Sequence, residues 1–510
     1  MPFPRPEGLP PVSLGDVATA VGPTAAVPAG PPSPSEVLVH GVSLATSTLR
    51  PGDLWAALKG ANAHGAQYAE QAVAAGAAAV LTDDEGAALL TAAGVDLPLV
   101  RCPDPRARLG DVSAAVYGTA DLPLGLVGIT GTNGKTTTAY LLDSALRALG
   151  RTTGLIGTIE TRLGDERVHS VRTTPETTDL HALLAVMAQR GLDDCVMEVS
   201  SHALELHRVD AVTYDVAIFT NLSQDHLDFH GTMEAYYAAK ARLFTPEHSR
   251  TGVVCVDDAW GRRLAGEATV PVTTVSTRPD VDADWGVGGD PAGQELTLTG
   301  GGETLRLRSA LPGDFNRVNT ALAAVALVVA GHPPRDVADA VLTPPEVPGR
   351  MEPVTVDGSP VRGVVDYAHT PDAVAAALAA LRPQTSGRLV AVLGAGGSRD
   401  AGKRPGMGRA AAAHADVVVV TDDNPRDEDP AAIRDAVAGG AADGPAQVEV
   451  VPGRRDAIRR AVELAGGDDA ATIALLGKGH EQGQEIRGET RPFDDREALR
   501  EALRERVGTR

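Results

Sequence analysis

The chain has 510 residues, which at roughly 150 residues per domain predicts about three domains. Lys and Arg total 46 against 67 Asp and Glu, a formal net charge of −21. That balance argues against nucleic acid or an anionic membrane as the main partner, because both need a basic face. With 43% hydrophobic and 22% charged residues the composition is globular, and 3% aromatics leave the core to Ala, Val and Leu. Cys102, Cys195 and Cys255 are far apart and match neither a zinc spacing nor a disulfide framework. No apolar run reaches the roughly 18 residues of a membrane span. The opening MPFPRPEGLPPVSL lacks the basic and apolar regions of a signal peptide. The expectation is a reduced, soluble, cytoplasmic protein without membrane insertion.

Residues 1 to 35 are rich in Pro, Ala and Gly and read as loosely ordered, with PAGPPSPSE as a linker. From Val37 the pattern sharpens. A strand is predicted at Trp55 to Leu58, a helix at Gln67 to Ala75 and a strand at Ala77 to Leu81. This small α/β unit ends near Asp121. The run Leu124 to Thr130 is a strand, and apolar residues at helical spacing from Thr138 to Leu149 follow it, with Gly150 as C-terminal cap. Strands are predicted at Asp194 to Val199 and Val216 to Thr220, a hairpin at Glu295 to Ser309 and a helix at Asn319 to Ala330. A boundary falls near Pro344-Pro345. Beyond it, strands at Arg362 to Asp366, Leu389 to Gly394, Val417 to Thr421 and Thr472 to Leu476 alternate with Ala-rich helices. That alternation predicts an open, mostly parallel sheet.

GITGTNGKTTT, Gly128 to Thr138, carries the strongest chemistry. Glycines let backbone N–H groups curl around an anion, and the start of a helix adds the positive end of its dipole. Lys135 can reach β- and γ-phosphates, and the Thr136 hydroxyl can ligate Mg²⁺. The general phosphate-loop pattern wants a glycine where Ile129 stands. In MEVSSHAL, Glu198 at a strand end reads either as a second Mg²⁺ contact or as part of a helix-capping pair. NLSQDHLDFHG crowds Asp225, His226, Asp228 and His230 into six residues, which suits a metal, a general base or a solvated loop.

Three predicted parallel strands near the C-terminus each end in a glycine- and charge-rich loop: GAGGSRDAGKRP, TDDNPR and GKGHE. Ligands bind beyond the carboxyl ends of such strands. Arg399 and Arg426 can each clamp a carboxylate, and Glu481 can accept from an ammonium group, which fits a zwitterionic ligand.

GTNGKTT, MEVSSH and TNLSQDHLDFHG resemble the central domain of the Mur ligases, and so do AKARLF, FNRVN, GRME and DYAHTP further on. The likeness runs in order over nearly the whole chain after about residue 37. The departure at Ile129 is shared, since this family's loop resembles GTNGKT without the earlier glycine. Within the family the match is to members that add diaminopimelate, because DNPR resembles their motif and lysine-adding members differ at the position of Arg426. DNPR and the N-terminal unit also discriminate against the folylpolyglutamate synthetases of the same superfamily.

The resemblance implies an α/β protein of three domains. A UDP-muramyl domain spans residues 1–122, a P-loop ATP domain 123–345, and a Rossmann-like amino-acid domain 346–510. It implies ATP and Mg²⁺ as cofactor and metal, and UDP-MurNAc-L-Ala-D-Glu and diaminopimelate as substrates, in a monomer. ATP would meet Gly131, Thr132, Asn133, Gly134, Lys135, Thr136, Thr137, Asn319, Arg350 and Asp366. Metal would meet Thr136, Glu198, His226 and Lys240, the last carbamylated as N6-carboxylysine, with Lys135, His226 and Lys240 catalytic. The muramyl peptide would meet Ser47, Thr173, Thr174, Ser200 and Arg208. Leu206 stands where some members have glutamine. The family's Asp-Ser-Arg uridine turn is here Thr46-Ser47-Thr48. Diaminopimelate would meet Arg399, Asp423, Asn424, Pro425, Arg426, Gly477 and Glu481.

Overall fold

The apolar run Leu124 to Thr130 forms the strand Gly125–Thr130, inside a sheet of eleven strands in the computed structural model. The structure describes residues 3–27, 32–168, 172–290, 293–466 and 470–508. Gly125–Thr130 lies between Asp194–Glu198 and Tyr214–Phe219, parallel to both. Parallel strands covered on both faces read as continuous apolar runs, and these three are buried almost throughout. The helices Lys135–Ala148 and Asp314–Val329 cover one face through Leu141, Leu142, Leu146, Leu322 and Val325. The helix Thr177–Gln189 covers the other through Leu180, Leu183, Leu184 and Met187. The expected hairpin is Glu295–Gly300 paired with Glu303–Arg308, at one edge of this sheet.

A six-stranded sheet follows. Its order is Glu352–Val354, Arg362–Asp366, Thr472–Leu476, Leu389–Leu393, Val417–Val420 and Gln447–Val450. Only the first strand is antiparallel, so the mostly parallel sheet expected here is present. The two edge strands escape sequence reading because QVEV and EPV are short and interrupted by polar residues or proline. A third sheet of four parallel strands, Gly41–Ser43, Asp53–Ala56, Ala79–Thr82 and Leu99–Arg101, completes the α/β architecture.

One expectation is corrected. Residues 1 to 35 are not loosely ordered where the structure describes them. Leu14–Val21 is a helix whose Ser13 cap accepts from the Asp16 N–H at 3.1 Å, burying Leu14, Val17 and Val21. Val12–Ser13 pairs with Leu38–Val39, and Arg5 Nη1 donates to Asp53 Oδ2 at 2.6 Å. A cap, three apolar residues at helical spacing and an ion pair outweigh the Pro-rich composition. Residues 28–31 of the expected linker lie outside the described residues.

Candidate active site

The carboxyl ends of the central strands carry the phosphate loop. Gly131 and Gly134 have φ of +144° and +91°. A Cβ would meet Thr220 Oγ1 at 1.9 Å on Gly131 and Asn319 Oδ1 at 2.5 Å on Gly134, so only glycine fits either place. The helix Lys135–Ala148 starts directly after, aiming its first N–H groups at the loop. Lys135 Nζ folds back onto the carbonyls of Gly131 and Thr132, at 2.9 and 3.0 Å. Burial pushes its pKa down.

A cavity of about 460 Å³ opens beside the loop, lined by Asn133, Gly134, Thr137, Asn319, Arg350 and Asp366 among others. Six of the residues expected at ATP thus share one cavity, although they come from both large sheets. Arg350 Nη2 donates to Thr136 Oγ1 at 3.1 Å, and its guanidinium lies 4.6 Å from the Tyr367 ring centre. Asp366 accepts from the N–H groups of Met351 and Ala368, both at 2.8 Å, and burial raises its pKa.

Glu198, at the end of its strand, is the hub of the next layer. Both of its oxygens accept from Thr136 Oγ1 at 3.0 Å, and Thr158 adds its N–H and hydroxyl at 2.8 and 3.0 Å. A hydroxyl and a carboxylate at the phosphate loop are hard oxygen donors of the kind Mg²⁺ takes. Among the described residues no three His, Cys, Asp or Glu side chains cluster as metal ligands.

Of the expected muramyl-peptide residues, Thr173, Thr174 and Ser200 gather round Glu198. Thr174 Oγ1 donates to the Glu198 carbonyl at 2.9 Å and accepts from the Ser200 N–H at 3.1 Å. Thr173 and Thr158 share a hydroxyl hydrogen bond of 3.0 Å. Arg208 is held by Glu176 at 3.0 Å. Ser47 is exposed in the turn Thr46–Thr48, in the N-terminal sheet's unit.

His226 has φ +55° and stands before the short helix Leu227–His230. Burial brings its pKa down to about 3, which keeps the imidazole neutral, the form that ligates metals. Lys240, on the helix Met233–Ala241, is buried. Its Nζ donates to the Gly131 carbonyl at 2.9 Å and lies 4.7 Å from the Tyr236 ring centre. Burial, then the charge of Lys135, pushes the Lys240 pKa well down.

A second cavity of about 570 Å³ lies between Thr158–Glu160 and the loops TDDNPR and GKGHE, lined by Asn424, Arg426, His480 and Glu481. Arg426 donates from Nε to Glu485 Oε2 and from Nη1 to the Gly397 carbonyl, both at 2.8 Å. Its guanidinium therefore already has an acidic neighbour. Arg399 is exposed and is not among the residues lining this cavity. Gly477, at φ +112°, leaves room for Asp423, whose Oδ2 would lie 2.7 Å from a Cβ there. Pro425 turns its carbonyl onto Gly397, close enough to exclude any side chain at that glycine.

Sequence reading named Asp225 but missed the lysine and His369 that hold it, and it missed two buried clusters. Asp225 takes Lys403 Nζ at 3.1 Å, with His226 Nε2 at 3.5 Å and His369 Nε2 at 3.6 Å. Burial opposes its charge, but the His369 hydrogen bond and Lys403 outweigh burial and hold the carboxyl well below the usual range. Lys478 is fully buried under the second cavity, and Arg454 with Asp495 forms a fully buried ion pair below it. Lys403 and Lys478 lie inside the loops singled out, but pairing across more than 50 residues leaves no local signal.

A phosphate loop at the parallel centre of one sheet, beside a ligand-sized cavity that also takes residues from a second sheet, is the arrangement of a nucleotide-using α/β enzyme. The chain matches the Mur ligase family catalytic domain over residues 38–117, the Mur ligase middle domain over 129–328 and the Mur ligase glutamate ligase domain over 349–479. It belongs to the Mur ligase family. It is 51% identical to the UDP-N-acetylmuramoyl-L-alanyl-D-glutamate–2,6-diaminopimelate ligase of Streptomyces coelicolor, over 99% of each chain. It is 47% identical to the protein of that name from Corynebacterium efficiens, over 91% of this chain and 90% of the other. A solved structure of a ligase with the same name superposes with a TM-score of 0.65 at 30% identity, over 97% of this chain and 99% of that one. A Mycobacterium tuberculosis folylpolyglutamate synthase shares the fold at a TM-score of 0.59 and 22% identity, over 73% of this chain and 92% of that one.

Proposed function

We propose that the chain uses ATP to join diaminopimelate to UDP-N-acetylmuramoyl-L-alanyl-D-glutamate, a step in building peptidoglycan precursors. The observation that carries this reading is the meeting of two sheets' strand ends, where Arg350 of one reaches Thr136 of the other at 3.1 Å. The ATP site is read from the cavity at that contact, and the zwitterion site from a second cavity at the loops TDDNPR and GKGHE. Identity of 51% over 99% of a relative with that name supports the same substrates. We assign muramyl substrate, nucleotide and amino acid to residues 1–122, 123–345 and 346–510. The three buried thiols favour a reducing compartment, the cytoplasm.

A carboxylate does not react with an amine at neutral pH, because oxide would have to leave. Phosphoryl transfer from ATP to the D-Glu side-chain carboxylate gives an acyl phosphate. The free amine of diaminopimelate attacks its carbonyl carbon, and phosphate leaves the tetrahedral intermediate. The protein positions the partners and neutralises charge. Loop N–H groups and Lys135 hold the phosphates, which requires Nζ to swing from the carbonyls of Gly131 and Thr132. Asn319, Arg350 and Asp366 hold the nucleotide. Thr173, Thr174, Ser200 and Arg208 hold the muramyl peptide beside Glu198.

Thr136 and Glu198 would hold Mg²⁺, with His226 and a carbamylated Lys240 for a second ion, and bound metal would screen phosphate charge. The uncharged amine is the form that adds carbon dioxide, and the depressed pKa of Lys240 favours that form. Asp423, Asn424, Arg426 and Glu481 would receive the amino acid, with Arg426 shared between Glu485 and the ligand carboxylate.

The test is ADP release with the product's mass measured. ADP should form only when both the muramyl dipeptide and diaminopimelate are present, with the mass of the tripeptide product. ADP formed without either acceptor would favour a plain ATPase and overturn the reading.

A further inference from the structure

The buried base of the acceptor cavity contains a cation that no part of the reaction above uses. Lys478 has no exposed side-chain surface. Its Nζ donates to Asn424 Oδ1 at 3.0 Å and Glu481 Oε2 at 3.1 Å, and lies 3.6 Å from Asp423 Oδ1. Asn424 closes the ring, since its Nδ2 donates to the same Glu481 oxygen at 2.8 Å. The Glu485 N–H binds Asn424 Oδ1 at 3.0 Å, so the amide cannot flip without losing three hydrogen bonds.

Glu481 is thereby held by one oxygen. Oε2 takes both donors, and among the described residues Oε1 has no hydrogen-bond partner. Glu481 also lines the cavity and keeps 30% of its side chain exposed. The charges are similarly incomplete. Asp423 and Glu481 bring two negative charges against the single positive charge of Lys478. The neighbouring pairs Arg454–Asp495 and Arg426–Glu485 are each neutral. Within this cluster one carboxylate charge is unmatched, which suits one ammonium group, while Glu160, Arg167 and Arg496 line the same cavity in ion pairs of their own.

We propose that Lys478 is a positioning residue that fixes the Glu481 carboxylate to hold the non-reacting ammonium of the acceptor, and so makes a second amine a requirement of the site. A carboxylate beside an amine keeps it protonated, and a protonated amine has no lone pair with which to attack. The ammonium on Glu481 is therefore the one that does not react. Lys478 touches no substrate. It neutralises one of two neighbouring carboxylates and locks the amide that orients the other. This inference rests on the diaminopimelate reading above.

The experiment compares diaminopimelate with 2-aminopimelate, which keeps the chain length and both carboxylates but has one amine. The wild-type protein should favour diaminopimelate in kcat/KM by at least about tenfold, the lower end for a charged hydrogen bond. Lys478→Met and Lys478→Gln should bring that ratio to within about threefold of one, through KM for diaminopimelate, with KM for ATP unchanged. Glu481→Gln should reproduce the pattern. A wild-type ratio below threefold overturns the inference, and so does a ratio that survives in a folded Lys478 variant. Equal loss on both acceptors also overturns it, because that marks a merely structural lysine. Should neither variant fold, the wild-type and Glu481→Gln ratios decide. If wild-type protein uses neither acceptor, the functional reading itself fails, a distinct result.

Discussion

Asp495→Ala tests how the acceptor site is held up from below. Arg454 and Asp495 both have no exposed side-chain surface, and two hydrogen bonds of 2.7 and 2.6 Å join them. The guanidinium also donates to the Leu476 carbonyl at 3.0 Å and the Asp422 carbonyl at 3.4 Å, so it ties the ends of two strands that carry the acceptor loops. Removing the carboxylate leaves a buried cation without a partner, at a cost of about 3–5 kcal/mol. Each 1.4 kcal/mol is about a factor of ten, so amide protection in the strand Thr472–Leu476 should fall by about two to three and a half orders of magnitude. Hydrogen exchange read by mass spectrometry on that strand measures it. Replacing both partners, Arg454→Met with Asp495→Leu, removes the desolvated charges together and should restore most of the protection. A loss below tenfold in the single variant, or a double variant worse than the single, would refute the reasoning.

Arg426→Asn should raise KM for diaminopimelate at least about tenfold, since a charged hydrogen bond contributes roughly 1.5–3 kcal/mol; unchanged acceptor kinetics would remove Arg426 from the site. His181 is buried between Thr119 Oγ1 and the Asp210 carbonyl, and burial brings its pKa from 6.5 to about 4. Below pH 6.5 the unfolded chain takes up a proton that the folded chain refuses until about pH 4. Stability should therefore fall by about 3 kcal/mol across that window, and His181→Gln should flatten the dependence of Tm on pH. All three thiols are buried, and burial raises the pKa of Cys102 to about 11 and those of Cys195 and Cys255 further. A disulfide reagent at pH 8 should modify none in the folded protein and all three in denaturant, and fast labelling of the native protein would contradict the burial.

Much of the site is local in the chain and was therefore legible there. The phosphate loop needs glycines at two tight positions and a helix start behind them, all within Gly128 to Thr138, so sequence spacing alone states its chemistry. The central strands are equally plain, because burial on both faces writes them as unbroken apolar runs. The length of 510 residues pointed to three units, and the strands of the three large sheets indeed come from three successive stretches of chain. The Pro-rich start misled, since composition averages over a helix whose cap and apolar face occupy only nine residues. What the tertiary structure alone decided are the pairings between distant segments. Arg350 on Thr136, Lys403 on Asp225, Lys478 on Asn424 and Arg454 on Asp495 each join residues at least 41 positions apart. Whether a charged side chain is solvated or buried against an opposite charge depends on which strand ends meet. Lys240 shows the point most clearly: by sequence it is a lysine on an amphipathic helix, and only its burial against Gly131 and Tyr236 pushes its pKa well down beside the phosphate loop.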